Sequence, residues 1–199
     1  VLRAVAWGAY AAFALALVVA LALAMVAPVA RSAELVDEVW VGGYDHSFNN
    51  SGGRREAGTA EVEVEADTAE LQALRMLGAP RLALTMAVNT GGKTDFGGAA
   101  FNWRRQIWRR LYAGVQLGLD ANDGYTRITP GYSNETLRRD RLQLGSRVLF
   151  REAASLGCRL DANWSAGLQY IHNSTGEILS KGPNESLNEL GVNVGRRFR

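Results

Sequence analysis

Period-two alternation of apolar with charged, amidic or glycine residues recurs along most of this chain. The clearest run is Glu61-Val62-Glu63-Val64-Glu65-Ala66-Asp67. Further on, Leu82, Leu84, Met86 and Val88 alternate with Arg81, Ala83, Thr85 and Ala87. Leu111, Ala113, Val115, Leu117 and Leu119 alternate with Tyr112, Gly114, Gln116, Gly118 and Asp120. Leu142, Leu144, Val148 and Phe150 face Gln143, Gly145, Arg147 and Arg151, and Leu190, Val192, Val194 and Phe198 face Gly191, Asn193, Gly195 and Arg197. Alternation of this kind marks strands with two unlike faces.

A soluble sandwich would turn the apolar face to a core; here the polar face is heavily charged or glycine-rich, and nearly every strand carries it. A small membrane barrel accounts for both faces, with apolar side chains turned to lipid and polar or small ones filling the lumen. Closure also pairs every backbone donor and acceptor, which hydrocarbon cannot do. The fold expected is all-β: an eight-stranded antiparallel transmembrane barrel. Its strands fall near 38–48, 58–70, 81–89, 95–104, 110–120, 140–160, 164–174 and 187–198, with a bend or bulge expected where Glu152 interrupts an apolar face. The long connections Asn49–Ala57, Thr90–Thr94, Ala121–Arg139 and Thr175–Ser186 then share one end of the barrel, read as external, and short turns such as Leu160–Asn163 share the other. Trp103, Trp108, Trp164 and Tyr170 lie near strand ends, as an aromatic girdle would. A soluble β-sandwich is the competing architecture.

Residues 1–33 read differently. Val1–Ala33 is a basic start, a long Ala/Leu/Val run and a small-residue end, the pattern of a signal peptide cleaved near Ala30 or Ala33. The apolar run is also long enough to serve as an uncleaved anchor. Residues 34–199 then form the barrel domain. The total formal charge is +2, and Arg3 and Arg31 account for it, so the barrel domain is neutral. That balance gives no support to a nucleic-acid partner. A single Cys excludes a disulfide framework and a cysteine-rich zinc site.

Most other chemical signals have plain readings. Thr90-Gly91-Gly92-Lys93-Thr94 echoes a phosphate loop, but Ala87 stands where its first glycine belongs and a strand follows in place of a helix. Cys158 sits alone on an apolar strand face. Arg104-Arg105, Arg109-Arg110 and Arg138-Arg139-Asp140-Arg141 read as solvated turns, the last with lipid phosphate as a sharper alternative. His46 reads as a structural histidine near a loop. No Gly-x-Ser-x-Gly elbow and no His-Glu-x-x-His helix occurs.

The segment Trp164–Gly176 carries more. Trp164, Ala166, Leu168, Tyr170, His172 and Ser174 share one strand face, the lipid side of a barrel. Residues two apart on a strand are neighbours about 7 Å apart at the backbone. An imidazole at that spacing can take a hydroxyl proton during attack on an ester. As the strand ends there, the pair would lie at the level of lipid headgroups and esters, where polar side chains are tolerated.

Leu144-Gly145-Ser146, Phe150-Arg151-Glu152, Gly157, Leu160, Gly167, His172-x-Ser174, Pro183-Asn184 and Phe198 follow the order seen in the lipid A 3-O-deacylase (PagL-type) family of outer-membrane barrels. The chain resembles that family most densely over Leu142–Phe198. The resemblance implies a Gram-negative outer-membrane esterase that removes an acyl chain from lipid A (lipopolysaccharide) among outer-membrane lipids, with no metal, nucleotide or other cofactor. It implies Ser174 as nucleophile and His172 as base. The family's oxyanion Asn is replaced by Thr175, whose hydroxyl, or backbone N–H groups, would then stabilise the oxyanion, and its histidine-orienting acid falls on Asn188, with Glu185 and Glu189 flanking it. Parity puts Asn188 outside and Glu189 inside, so Asn188 or Glu185 is the expected third member. A non-catalytic barrel, structural or lipid-binding, is the alternative these substitutions allow.

Overall fold

The computed structural model describes residues 35–49 and 55–198. The expected signal peptide therefore lies outside the described residues. Eight strands form the barrel: β1 Glu38–Asp45, β2 Ala60–Asp67, β3 Arg81–Asn89, β4 Phe96–Trp108, β5 Leu111–Asn122, β6 Val148–Arg159, β7 Trp164–Ser174 and β8 Leu187–Arg197. Each pairs antiparallel with its chain neighbour, and β1 closes on β8. The sheet has no open edge, which is what allows it to meet hydrocarbon.

Alternation delivers the two faces. On β2, Glu61, Glu63, Glu65 and Asp67 are buried in the lumen. On β3 and β5, Leu84, Met86, Val88, Val115, Leu117 and Leu119 stand exposed on the outside. Such an apolar belt has no reason to exist in water, and the sandwich reading falls with it. Trp103, Trp108 and Trp164 gather at one end, Trp108 at the last residue of β4. Tyr170 lies further along β7, inside the belt.

The lumen is a polar solid. Arg151, 1% exposed, reaches Glu63 at 2.8 Å, Asp120 at 3.2 Å and the Gln116 oxygen at 3.3 Å. Arg104 bonds Glu38 at 2.7 Å and Asp67 at 3.1 Å, and lies 4.3 Å above the Trp40 ring. Tyr44 donates to Gln169 at 2.5 Å across the barrel. Glycines make room for these large groups: a Cβ at Gly195 would enter the Trp40 ring, and one at Gly157 the Tyr112 phenol. Just beyond β1, His46 is fully buried between Glu61 at 2.9 Å and Glu56 at 3.2 Å. Burial opposes a charge on its ring, but the surrounding carboxylates of Glu189, Glu56 and Glu61 push its pKa up to about 11.

The structure corrects two expectations. The stretch 140–160 is not one bent strand. Residues Glu135–Asp140 form a short helix, α1, and β6 begins only at Val148. Leu142 and Leu144, expected on the lipid face, instead fold inward with Ala87, Phe96, Leu149 and Leu187 as an apolar plug over one barrel end. Their alternation is real but serves a cap, because a buried loop packs apolar side chains as a strand does. Glu152 makes no bulge either: β6 keeps an unbroken register with both neighbours. The one shift lies between Gln106 and Trp108 on β4. Thr90–Thr94 ends β3 as a turn with no helix behind it, as its plain reading required. The 68–80 connection, at the tryptophan end, is longer than the turns expected there and holds a 3-10 segment at Gln72–Leu77.

The Arg151 network gives a test. Arg151→Met would leave Glu63 and Asp120 buried without their cation, a loss of about 3–5 kcal/mol. Urea titration of the barrel in lipid vesicles, followed by gel mobility of unheated samples, should show that fall.

Candidate active site

A turn fixes the phase of β7. The Asp161 carboxylate accepts the backbone N–H groups of Asn163 at 2.7 Å and Trp164 at 2.8 Å, and these bonds hold its carboxyl below the usual carboxylate range. From Trp164 onward the even residues point out and the odd ones in. Ser165, Gln169, Ile171 and Asn173 are buried in the lumen, while Leu168 and Tyr170 are exposed outside. His172 continues the outer row, half-buried at the end of the strand opposite the tryptophans.

The register then decides the neighbours. His172 stands directly between Asn188 of β8 and Glu152 of β6, and Ser174 opposite Phe150. Side chains opposed in this way have Cβ atoms about 4.5–5.5 Å apart. His172 Nδ1 lies 2.6 Å from Asn188 Oδ1. The amide's orientation is fixed from behind, since Asn188 Nδ2 donates to the Asn49 carbonyl at 3.2 Å. Oδ1 can only accept, so Nδ1 carries the proton and Nε2 presents its lone pair. The Asn188 carbonyl also accepts the Phe48 N–H at 2.7 Å, which ties the start of β8 to the loop after β1.

Ser174 is 9% exposed, under the turn that follows it. Among the described residues, neither Ser174 Oγ nor His172 Nε2 has a hydrogen-bond partner, so each is available to the other or to a substrate.

The remaining expected residues are not brought to this pair. Glu185 belongs to a different cluster: it pairs with Arg55 at 2.6 Å and accepts the Gln143 N–H at 2.8 Å. Of the two, Asn188 is the one that meets the imidazole. Thr175 is fully buried, its N–H taken by Asn184 Oδ1 at 3.0 Å and its hydroxyl accepting the Glu177 N–H at 3.2 Å. It closes the turn behind Ser174 in place of facing the His172–Ser174 pair. The backbone N–H of Gly176, with no partner among the described residues, is the nearest unused donor along the chain. Glu189 points into the lumen, as parity required, with Oε1 3.5 Å from His46.

One neighbour was overlooked. Glu152 is exposed on the outer face, across the strand pair from His172. Its signal was present in the sequence as a break in an apolar row. Taken as a kink in the strand, it is in fact a carboxylate placed beside an imidazole. Cys158 lies on the same outer face, free and half-buried. In the cap, Arg138 pairs with Glu135, while Arg141 turns inward onto Glu56 at 3.1 Å.

Residues 126–197, which contain the whole His172–Ser174–Asn188 row, match the family model for lipid A 3-O-deacylase (PagL). Over that segment the chain is similar to the PagL family. The fold agrees. The crystal structure of the outer membrane enzyme PagL superposes with a TM-score of 0.51 at 12% identity, over 79% of this chain and 97% of that one. Neisserial surface protein A superposes with a TM-score of 0.50 at 15% identity, over 80% and 96%. At such identities these two likenesses speak for the fold. No match emerges among curated proteins. The similarity to the PagL family and the closed barrel with its apolar outer belt together place this protein in a Gram-negative outer membrane.

The Asn188 contact predicts a single His172 tautomer. Nitrogen-15 spectra of histidine-labelled barrel should show Nδ1–H and bare Nε2 at neutral pH, and Asn188→Ala should convert this to a mixture of both tautomers.

Proposed function

We propose that this barrel hydrolyses an ester-linked acyl chain of lipid A at the outer leaflet. The observation that carries the reading is a hydrogen-bonded His172–Asn188 pair on the lipid face, two residues from an unpartnered Ser174 hydroxyl. A soluble hydrolase has no use for a base on its greasy side. An enzyme whose substrate is the membrane has.

Lipid A lies against the outer row of β6, β7 and β8 with an ester beside Ser174. Oγ attacks the carbonyl carbon as His172 Nε2 takes its proton, giving a tetrahedral oxyanion and an imidazolium. The Gly176 N–H is the donor available to that oxyanion. Collapse breaks the bond to the lipid's alcohol oxygen, which leaves with the proton from Nε2. Water then attacks the acyl-serine with His172 again as base, releasing the fatty acid and restoring Ser174.

Asn188 holds the ring but cannot neutralise the imidazolium as a carboxylate would. Glu152 supplies the missing charge from the other side. A carboxylate on a lipid face is costly unless it lies at the interface or meets a cation. Opposite His172 it meets one each time the ring is protonated. A non-catalytic barrel is the second reading, favoured by the neutral Asn188 and the inward Thr175.

Lipid A mass spectrometry decides between them. Expression in a host that carries the susceptible ester should remove one acyl chain, and Ser174→Ala or His172→Ala should abolish the change while the barrel still inserts. Unaltered lipid A with folded protein would leave only the non-catalytic reading. With purified enzyme in mixed micelles, Glu152→Gln should lower kcat about tenfold, some 1.4 kcal/mol, with KM little changed. Asn188→Glu, which returns an acid to β8, should restore the rate of that variant.

A further inference from the structure

The dipeptide Asn188-Glu189 faces two ways. Asn188 holds His172 outside, and Glu189 enters the lumen beside His46. His46, Glu61 and Glu189 each offer one ligand atom, and these atoms all lie within 4.8 Å of one another. His46 is wholly buried, Glu61 likewise, and Glu189 is 1% exposed. We propose that His46, Glu61 and Glu189 form a divalent-metal site of the zinc class inside the barrel wall, on the face opposite the His172 row.

An acidic cluster alone would not support this; two further features do. The first is unspent coordinating capacity. Neither carboxylate oxygen of Glu189 accepts a hydrogen bond, and Glu61 Oε1 accepts none, although all three are buried. Buried carboxylate oxygens without donors are expensive, and a cation is what removes the cost. The second is the setting of the imidazole. His46 Nε2 faces Glu56 at 3.2 Å, and Glu56 is itself held by Thr94 at 2.9 Å, the Leu142 N–H at 3.2 Å and Arg141 at 3.1 Å. That is the outer-shell carboxylate which fixes the tautomer of a metal-binding histidine. It leaves Nδ1 directed at Glu61, 2.9 Å away, and Glu189, 3.5 Å away.

The distances suit an exchange of the Nδ1 proton for a metal ion. Ligands about 2.0–2.2 Å from zinc stand about 3.3–3.6 Å from each other in a tetrahedron. Glu189, 3.5 Å from Nδ1, stands within that range, and Glu61, at 2.9 Å, would move out by a few tenths of an ångström. One imidazole with carboxylates suits zinc and its neighbours better than a soft, thiolate-seeking metal. With the cluster buried beneath the apolar plug, the ion would enter as the barrel closes.

The chain has only two histidines, which makes the test direct without any substitution. Untagged, histidine-labelled protein is refolded into detergent micelles with Zn2+ or with EDTA, and nitrogen-15 signals and metal content are read. One zinc per chain, with the His46 Nδ1 signal displaced and that of His172 unmoved, is the expected result. A second reading uses Co2+, whose visible absorption should appear with the wild type and with His172→Ala and vanish with Glu189→Gln. Absence of bound metal, or displacement of the His172 signals alone, would overturn the proposal. So would a Co2+ spectrum that survives in a folded Glu189→Gln barrel.

Discussion

Every other property of this protein depends on one requirement: a backbone in hydrocarbon must find all its hydrogen bonds within the protein. A closed antiparallel sheet meets it, and β1 paired with β8 completes the circle. Closure also fixes the register of every strand against two neighbours. A slip of one residue would turn the whole outer belt inward and the Glu61–Asp67 acids outward, so the register is strongly determined. The site inherits that precision. His172 bonds Asn188 on one side and stands opposite Glu152 on the other because the barrel is closed and in phase there.

The two faces divide the labour. Inside, Arg151 and Arg104 bind the acids of β2 into a solid core. Outside, the same strands present a belt that only lipid would cover. A base and a hydroxyl placed at the margin of this belt can meet a lipid ester without drawing the lipid into a cleft. Under the proposed function, the barrel wall would be a rigid platform and the membrane would supply the rest of the binding site.

Much of this was legible in the chain, because strand parity is a property of sequence. The outward direction of His172, Ser174 and Asn188 and the inward direction of Glu189 follow from counting by twos. The reading failed where that count does not apply. Leu142 and Leu144 alternate as strand residues do, yet they pack into a cap, and only contacts with Phe96, Leu149 and Leu187 separate the two cases. Glu185 lies close to Asn188 in sequence, but an ion pair with Arg55 holds it elsewhere. Thr175 follows Ser174, yet the Asn184 bond to its N–H seals it into a turn.

The sequence by itself determined the strands, their two faces and the row on which an imidazole and a hydroxyl stand, since all three depend only on neighbours along the chain. Tertiary structure alone decided which groups complete that row. Asn188 lies sixteen positions from His172 and Glu152 twenty, and each is brought alongside by strand pairing. It decided as well that His46 should meet Glu56, Glu61 and Glu189 in the lumen. Such meetings depend on register and closure, which no local pattern records.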